Sequence, residues 1–290
     1  MSKVVVVTDS NAGISQEEAA ALGVVVVPMP FTIDGEEYLE GISITQDEFY
    51  EKLNANLDVM TSQPSEDYLE NLWRDLLAQY DEVLYIPMSS GLSATCENAK
   101  GYANNFDGKV YVVDNTRISV TQRESVMEAL TMISQDIPTI EIKDRLEETG
   151  KDNSIYILLD TLKYLKKGGR ISKASAMLGD MFKLKPILTS DGGAFEKYAV
   201  TFTLEQAKKK MIQKAKQDLE GRFKEQYEKG QMVISVGYTN CRDKALKFFS
   251  EVSAAFPDVP IHYMDPLSLS VSCHIGGGAL AIALAYNSCL

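Results

Sequence analysis

Histidine occurs only at His262 and His274, cysteine at only four positions and tryptophan only at Trp73, and acids outnumber cations by 41 to 29. Each shortage excludes something. Two histidines leave few candidates for a metal cage or a general base. Cys96, Cys241, Cys273 and Cys289 form no C-x-x-C pair and no ligand-like spacing with either histidine. Free thiols in a reducing compartment are therefore expected, with neither a disulfide framework nor a metal. A formal net charge of -12 argues against nucleic acid, whose phosphates select clustered Lys and Arg, and against anionic membrane surfaces. Long apolar runs are missing too. Val4 to Val7 ends at Asp9, too short for a signal peptide, and Ala279 to Tyr286 is too short to span a bilayer. A cytoplasmic protein without stable membrane insertion is expected. No linker rich in Pro, Gly or Ser, no repeat and no low-complexity segment appears.

The 290 residues are 45% hydrophobic and 24% charged, the balance of a soluble globular chain with one large domain or two ordinary ones. Val4 to Val7, Val24 to Val27, Val83 to Pro87 and Lys109 to Val113 read as buried strands, with helices between them announced by Ser15-Gln16-Glu17-Glu18, by Ser65 and by the turn Ser89 to Ser93. Phe31 to Tyr38 around Asp34-Gly35 reads as a hairpin, and Thr45-Gln46-Asp47-Glu48 opens another helix. Helices are expected over Arg117 to Ser134 and Ile140 to Thr149. This alternation predicts a parallel sheet covered on both faces, with the loops at Asp9-Ser10, Ser89 to Ser93 and Asp114-Asn115 converging at its carboxyl edge. The second half changes character. Ile155 to Leu159, Lys185 to Leu188, Ala194 to Thr201, Met232 to Tyr238, Ile261 to Met264 and a final apolar run read as strands. Long helices start at Thr203 and pass through Leu246 and Phe249, and Ala174 to Met181 is amphipathic. The expected architecture is two α/β domains, residues 1–155 with a parallel-sheet three-layer arrangement and 156–290 with a mixed sheet.

The hydroxyl-rich turns carry the chemistry. Ser89-Ser90-Gly91-Leu92-Ser93 stands between a strand and a helix, where free N–H groups, small residues and the hydroxyls of Ser93 and Thr95 suit an anion; ordinary helix capping explains the same residues as well. Thr61-Ser62-Gln63-Pro64-Ser65 is a second hydroxyl cluster, of which capping accounts for Ser65 only. Asp9-Ser10 and Asp114 end strands without a third acid at metal-binding spacing. Gly91-Leu92-Ser93-Ala94-Thr95 is a near miss to the nucleophile elbow of serine hydrolases, and Ser93, Asp114 and His274 fall in a workable order. His274 with Gly276-Gly277-Gly278 offers an imidazole and bare backbone in what reads as a glycine loop. Lys163, Lys166, Lys167, Arg170 and Lys173 form a basic patch, read as a solvated helix face or as a dock for an acidic partner. Trp73 reads as core.

Thr8-Asp9-Ser10, Thr61 to Ser65 and Ser89 to Ser93, in this order, followed by Thr161-Leu162-Lys163-Tyr164-Leu165-Lys166-Lys167-Gly168-Gly169-Arg170-Ile171-Ser172, Lys185-Pro186-Ile187-Leu188 and His274 with its glycines, give the chain a resemblance to the DegV family over nearly its whole length. The resemblance implies a long-chain fatty acid, such as palmitate or stearate, held between two α/β domains. It also implies a carrier without chemistry of its own and without a cofactor. Some bacterial members are the fatty-acid-carrying subunit of a fatty acid kinase, in which a separate ATP-binding subunit phosphorylates the carboxylate to an acyl phosphate. Carried over, Thr61 and Ser93 would hydrogen-bond the carboxylate, Ser62, Gly91 and His274 would stand near it, Asp9, Ser10, Thr95 and Gly276 would support its loops, and Arg170 would face the kinase. The sequence departs from the family pattern at Ala94, Cys96 and Gly277, in the segment after Asp114 with its Arg117 and Arg123, and over Tyr198 to Thr201.

Burying ~14 methylenes is worth up to roughly 11 kcal/mol of transfer energy, and ordering the tail takes much of it back. The carboxylate needs donors, which Thr61, Ser93 and helix N–H groups supply without a fixed cation. Leu178, Met181, Phe182 and Ile187 are candidate tunnel residues. Two other readings stand beside the carrier: an esterase or thioesterase using Ser93 and His274, and a regulatory protein that senses lipid.

Overall fold

The computed structural model describes residues 2–55, 57–171 and 184–290. The first half runs β1 (Val4–Asp9), α1 (Gln16–Leu22), β2 (Val24–Val27), β3 (Pro30–Ile33), β4 (Glu36–Leu39), α2 (Gln46–Asn54), β5 (Val59–Thr61), α3 (Glu66–Leu77), β6 (Glu82–Ile86), α4 (Thr95–Ala103), β7 (Val110–Val112), α5 (Val120–Ser134) and α6 (Thr139–Glu148). The β-branched runs pair in parallel in the order β2-β1-β6-β7. Each face of this sheet is covered. Val6, Leu84 and Ile86 pack under α5 and α6, while Val5, Val7, Val83 and Tyr85 pack under α3 and α4, where Trp73 is fully buried against Tyr85 and Phe106. The capping residues act as their spacing predicts: Ser15 and Ser65 accept from Glu18 and Tyr68 backbone N–H groups, and Thr45 with Glu48 forms a reciprocal box.

The hairpin at Asp34-Gly35 gains a third strand, because β5 pairs antiparallel with β3 and sets Thr61 opposite Phe31. This small sheet, order β4-β3-β5, stands apart from the parallel one and packs on α2.

One expectation fails at Arg117. The helix starts only at Val120, and Thr116 and Ser119 take φ of 56° and 58°, a region that favours glycine. The cause is Arg117 itself. Its guanidinium is pulled into the interior, where it donates to the carbonyls of Thr149, Gly150 and Tyr286 and to Ser125 Oγ. Those bonds tie the loop to both halves of the chain.

The second half runs β8 (Asn153–Leu158), α7 (Lys163–Gly168), β9 (Lys185–Ser190), β10 (Glu196–Thr201), α8 (Leu204–Glu220), α9 (Lys224–Glu228), β11 (Met232–Tyr238), α10 (Arg242–Ala255), β12 (Ile261–Pro266), α11 (Leu269–Ile275) and β13 (Leu280–Tyr286). Its mixed sheet has the order β10-β9-β8-β13-β11-β12, with only β11 and β12 parallel, and it takes in β8 from Asn153 onward. Alternation sorts this sheet's two faces. Leu280, Ile282 and Leu284 of β13 pack beneath α8 and α10, whereas Ala281 and Ala283 face the first half. Small residues on that face let Leu92, Ile118 and Val120 of the first half share one core with Ile155, Ile157 and Leu188.

α11 replaces part of the expected glycine loop, so His274 sits in the last turn of a helix. Ile187, a candidate tunnel residue, points to the α8 face and is fully buried there. Leu178, Met181 and Phe182, with the amphipathic stretch Ala174 to Met181 and Lys173, lie outside the described residues. No helix among the described residues is long and apolar enough to cross a membrane.

Candidate functional site

The carboxyl ends of β1 and β6 and the loop after β7 do converge. Asp9 is buried and receives the backbone N–H groups of Met88 (2.8 Å) and Asn11 (3.0 Å) and the side-chain amide of Gln122 (3.1 Å). Burial pushes its carboxyl above the usual range against those three donors. Asp114 accepts from Ser90 N (3.3 Å) and pairs with Lys100 (3.7 Å). These acids therefore shape loops. Asp114, Cys96 and Glu97 come near one another, with Lys100 paired to both acids and burial raising the Cys96 thiol to about 12.

Above these loops lies a cavity of about 140 Å³ between the halves. Its polar lining residues are Asn11, Thr61, Ser62, Gln63, Ser93, Arg170, Ser270 and His274. Its apolar lining includes Met29, Met88, Leu92, Ile118, Phe195 and Ile275. β5 supplies Thr61, the turn before α4 supplies Ser93, and α11 supplies His274. Thr61 Oγ1 lies 3.0 Å from His274 Nε2, and Ser93 Oγ lies 2.8 Å from Thr95 Oγ1.

His274 is held neutral, its pKa lowered to about 4 by burial and by the nearby Arg170 guanidinium. Its Nδ1 has no hydrogen-bond partner among the described residues. A buried acceptor tolerates that better than a buried N–H, so the proton belongs on Nε2, donated to Thr61 Oγ1. The Thr61 hydroxyl proton is then free to donate into the cavity.

The fold now bears comparison. The sequence model of the DegV family, described as an uncharacterised protein family, matches residues 3–287. The chain belongs to the DegV family. It is 31% identical to Protein DegV of Bacillus subtilis over 98% of this chain and 99% of that one. Two solved DegV structures superpose over nearly everything. A fatty-acid-binding family protein from Thermus thermophilus gives a TM-score of 0.88 at 27% identity, covering 98% of this chain and 99% of its own. DegV of Bacillus subtilis, described as a fatty acid binding protein, gives 0.85 at 29%, covering 99% and 100%.

Several residues of this DegV chain sit differently from the sequence expectation. Gly91 is not in the cavity wall. Its Cα presses on the turn at Gly192-Gly193, where a Cβ would meet the Gly192 carbonyl at 2.4 Å, and buried Ser89 donates to that same carbonyl. Gly91 thus lets the two halves close, and Gly276 likewise makes room for the Tyr164 ring. Ser10, expected to support the loops, donates to Glu40 (2.8 Å) and accepts from Met29 N (3.1 Å). Arg170 is in the wall, its guanidinium donating to the Gly168 carbonyl (2.6 Å) and to that of Leu92 (3.3 Å). The basic patch splits accordingly, since Lys167 instead pairs with Asp58 across to β5. The hydrolase triad does not assemble. Ser93 bonds Thr95, His274 bonds Thr61, and Asp114 serves Ser90 and Lys100.

Asn11, Ser270 and Glu40 were missed. Asn11 follows the Asp9-Ser10 motif directly, and Ser268-Leu269-Ser270-Val271 after Pro266 is a helix-start signal, so both were available; Glu40 carries no signal of its own.

Gly168 is the tightest fit at this site, since a Cβ there would meet His274 Nδ1 at 2.0 Å. Gly168→Ala is expected to push the imbalance onto the imidazole, which must turn away from Thr61. Affinity for a carboxylate ligand of this cavity should fall by about tenfold or more, the worth of one hydrogen bond to a charged group, measured by calorimetry. Unchanged affinity would show that the Thr61–His274 pair does not set binding.

Proposed function

We propose that this protein binds one long-chain fatty acid, with its carboxylate at Thr61 and Ser93 and its acyl chain along the apolar walls. The observation that carries this reading is the cavity's mixed lining: the paired Thr61 hydroxyl and neutral His274 imidazole with Ser62 and Ser93, alongside Met, Leu, Ile and Phe side chains. Such a lining matches an amphiphile with one small anionic head. The two DegV neighbours that bind fatty acids share the fold end to end, which supports the same ligand class here. Neutral donors hold the carboxylate without a fixed salt bridge, leaving it open to transfer or reaction. The finer proposal is a non-catalytic carrier that presents this carboxylate to a separate ATP-binding kinase subunit for phosphorylation. In this proposal Arg170, half-buried in the cavity wall, would meet the incoming phosphate.

Native mass spectrometry of the protein purified from a bacterial host, followed by denaturing extraction, tests the first part. One fatty acid per chain is expected. Empty protein that also takes up neither palmitate nor oleate would overturn the reading.

A further inference from the structure

Three turns from separate parts of the chain meet backbone to backbone beside the cavity. The first is 114–119, between β7 and α5. The second runs from Ser89 to Ser93. The third is Asp191-Gly192-Gly193, which joins β9 to β10 in the second half. The first is the seat of the other two. Ser89 N donates to the Arg117 carbonyl (2.9 Å), and the Leu92 and Ser93 N–H groups donate in turn to the Ser89 carbonyl (3.1 and 3.2 Å). Gly192 rests on Thr116, where a Cβ would meet the Thr116 carbonyl at 2.4 Å. Each turn also brings one apolar side chain to the cavity wall: Ile118 from the first, Leu92 from the second and Phe195 from just after the third. These three share one core cluster.

Local preference does not shape this seat. Thr116 and Ser119 take positive φ, and Asn115 Nδ2 and Thr116 Oγ1 are buried without a hydrogen-bond partner among the described residues. Arg117 shapes it instead. Its acceptors are three carbonyls and a hydroxyl, drawn from the end of α6, the end of β13 and the body of α5, and the planar guanidinium fork fixes them together. Arg117 does not itself line the cavity. We propose that Arg117 is a positioning residue for the ligand: it locks the 114–119 turn as the seat that sets Ser93 against the carboxylate and spaces Leu92, Ile118 and Phe195 along the acyl chain. This rests on the fatty-acid reading above.

The test loads wild type, Arg117→Met and Met211→Ala with palmitate labelled with carbon-13 at its carboxyl, well below the unfolding temperature of the least stable protein. Met211 of α8 is buried against the other face of the second sheet, so its truncation weakens the fold without touching the seat. In Arg117→Met the bound carboxyl resonance should leave its wild-type position, and release to excess albumin should quicken by about tenfold, the worth of one hydrogen bond to the carboxylate. Met211→Ala should change neither. A wild-type resonance in Arg117→Met, or the same changes in Met211→Ala, would overturn the proposal. Should Arg117→Met fail to fold, Ser125→Ala removes one acceptor of the guanidinium (3.1 Å) and should give the same changes in smaller measure; a wild-type resonance there is equally fatal. If wild type binds no palmitate, the fatty-acid reading has failed. Amide exchange of Ser89 in ligand-free protein then decides the role of Arg117: faster exchange in Arg117→Met than in Met211→Ala supports it, and equal exchange refutes it.

Discussion

Calorimetric titration of delipidated Thr61→Val, Ser93→Ala protein is expected to show palmitate affinity about a hundredfold to ten-thousandfold below wild type, since each hydrogen bond to a charged group is worth roughly 1.5–3 kcal/mol. The two hydroxyls come from different elements, β5 and the turn before α4, and each is held by a neighbour that orients it: His274 for Thr61, Thr95 for Ser93. Their contributions should be separable, each single variant losing part of the effect. Near-UV circular dichroism identical to wild type would show that the core is intact. Unchanged affinity in the double variant would place the carboxylate elsewhere.

The second large effect concerns stability. Arg117→Met should cost about 3 kcal/mol or more, because it removes the buried guanidinium's four hydrogen bonds, among them the one to the Tyr286 carbonyl from the second half. It also releases the loop whose Thr116 and Ser119 are held at positive φ. Thermal unfolding should begin about 10 °C lower, taking a few degrees per kcal/mol for a chain of this size. A shift of less than about 2 °C would mean that water replaces the guanidinium at little cost.

Arg117 also shows where sequence reading stops. A local pattern of helix formers from 117 to 134 favours a helix throughout, yet three long-range bonds and one local bond donated by a single side chain override it at the start. The parallel sheet, by contrast, was legible, because Val-rich runs separated by capped helices leave few alternatives. β5 was not. Three residues are too few for periodicity, and its pairing partner Phe31 lies thirty positions away. α11 was hidden by its brevity and its polar Ser and His residues between Pro266 and Gly276. Thr61 and His274 sit on those two elements, so their pairing could not be read from the local sequence pattern. Glu40 was invisible altogether, since a lone acid before a glycine acquires meaning only when a helix from 230 positions later docks on it.

The place of β13 bears on how the molecule is made. It lies between β8 and β11, in the interior of the second sheet. The parallel sheet of the first half can form while synthesis continues, but the second sheet stays split until residues 280–286 have left the ribosome. During that interval the edges of β8 and β11 are unpaired, and Ile155, Ile157 and Leu188 lack the cover that Ala281 and Ala283 later share. Nascent chains are thus most prone to mispairing and aggregation in the interval before residues 280–286 insert between β8 and β11.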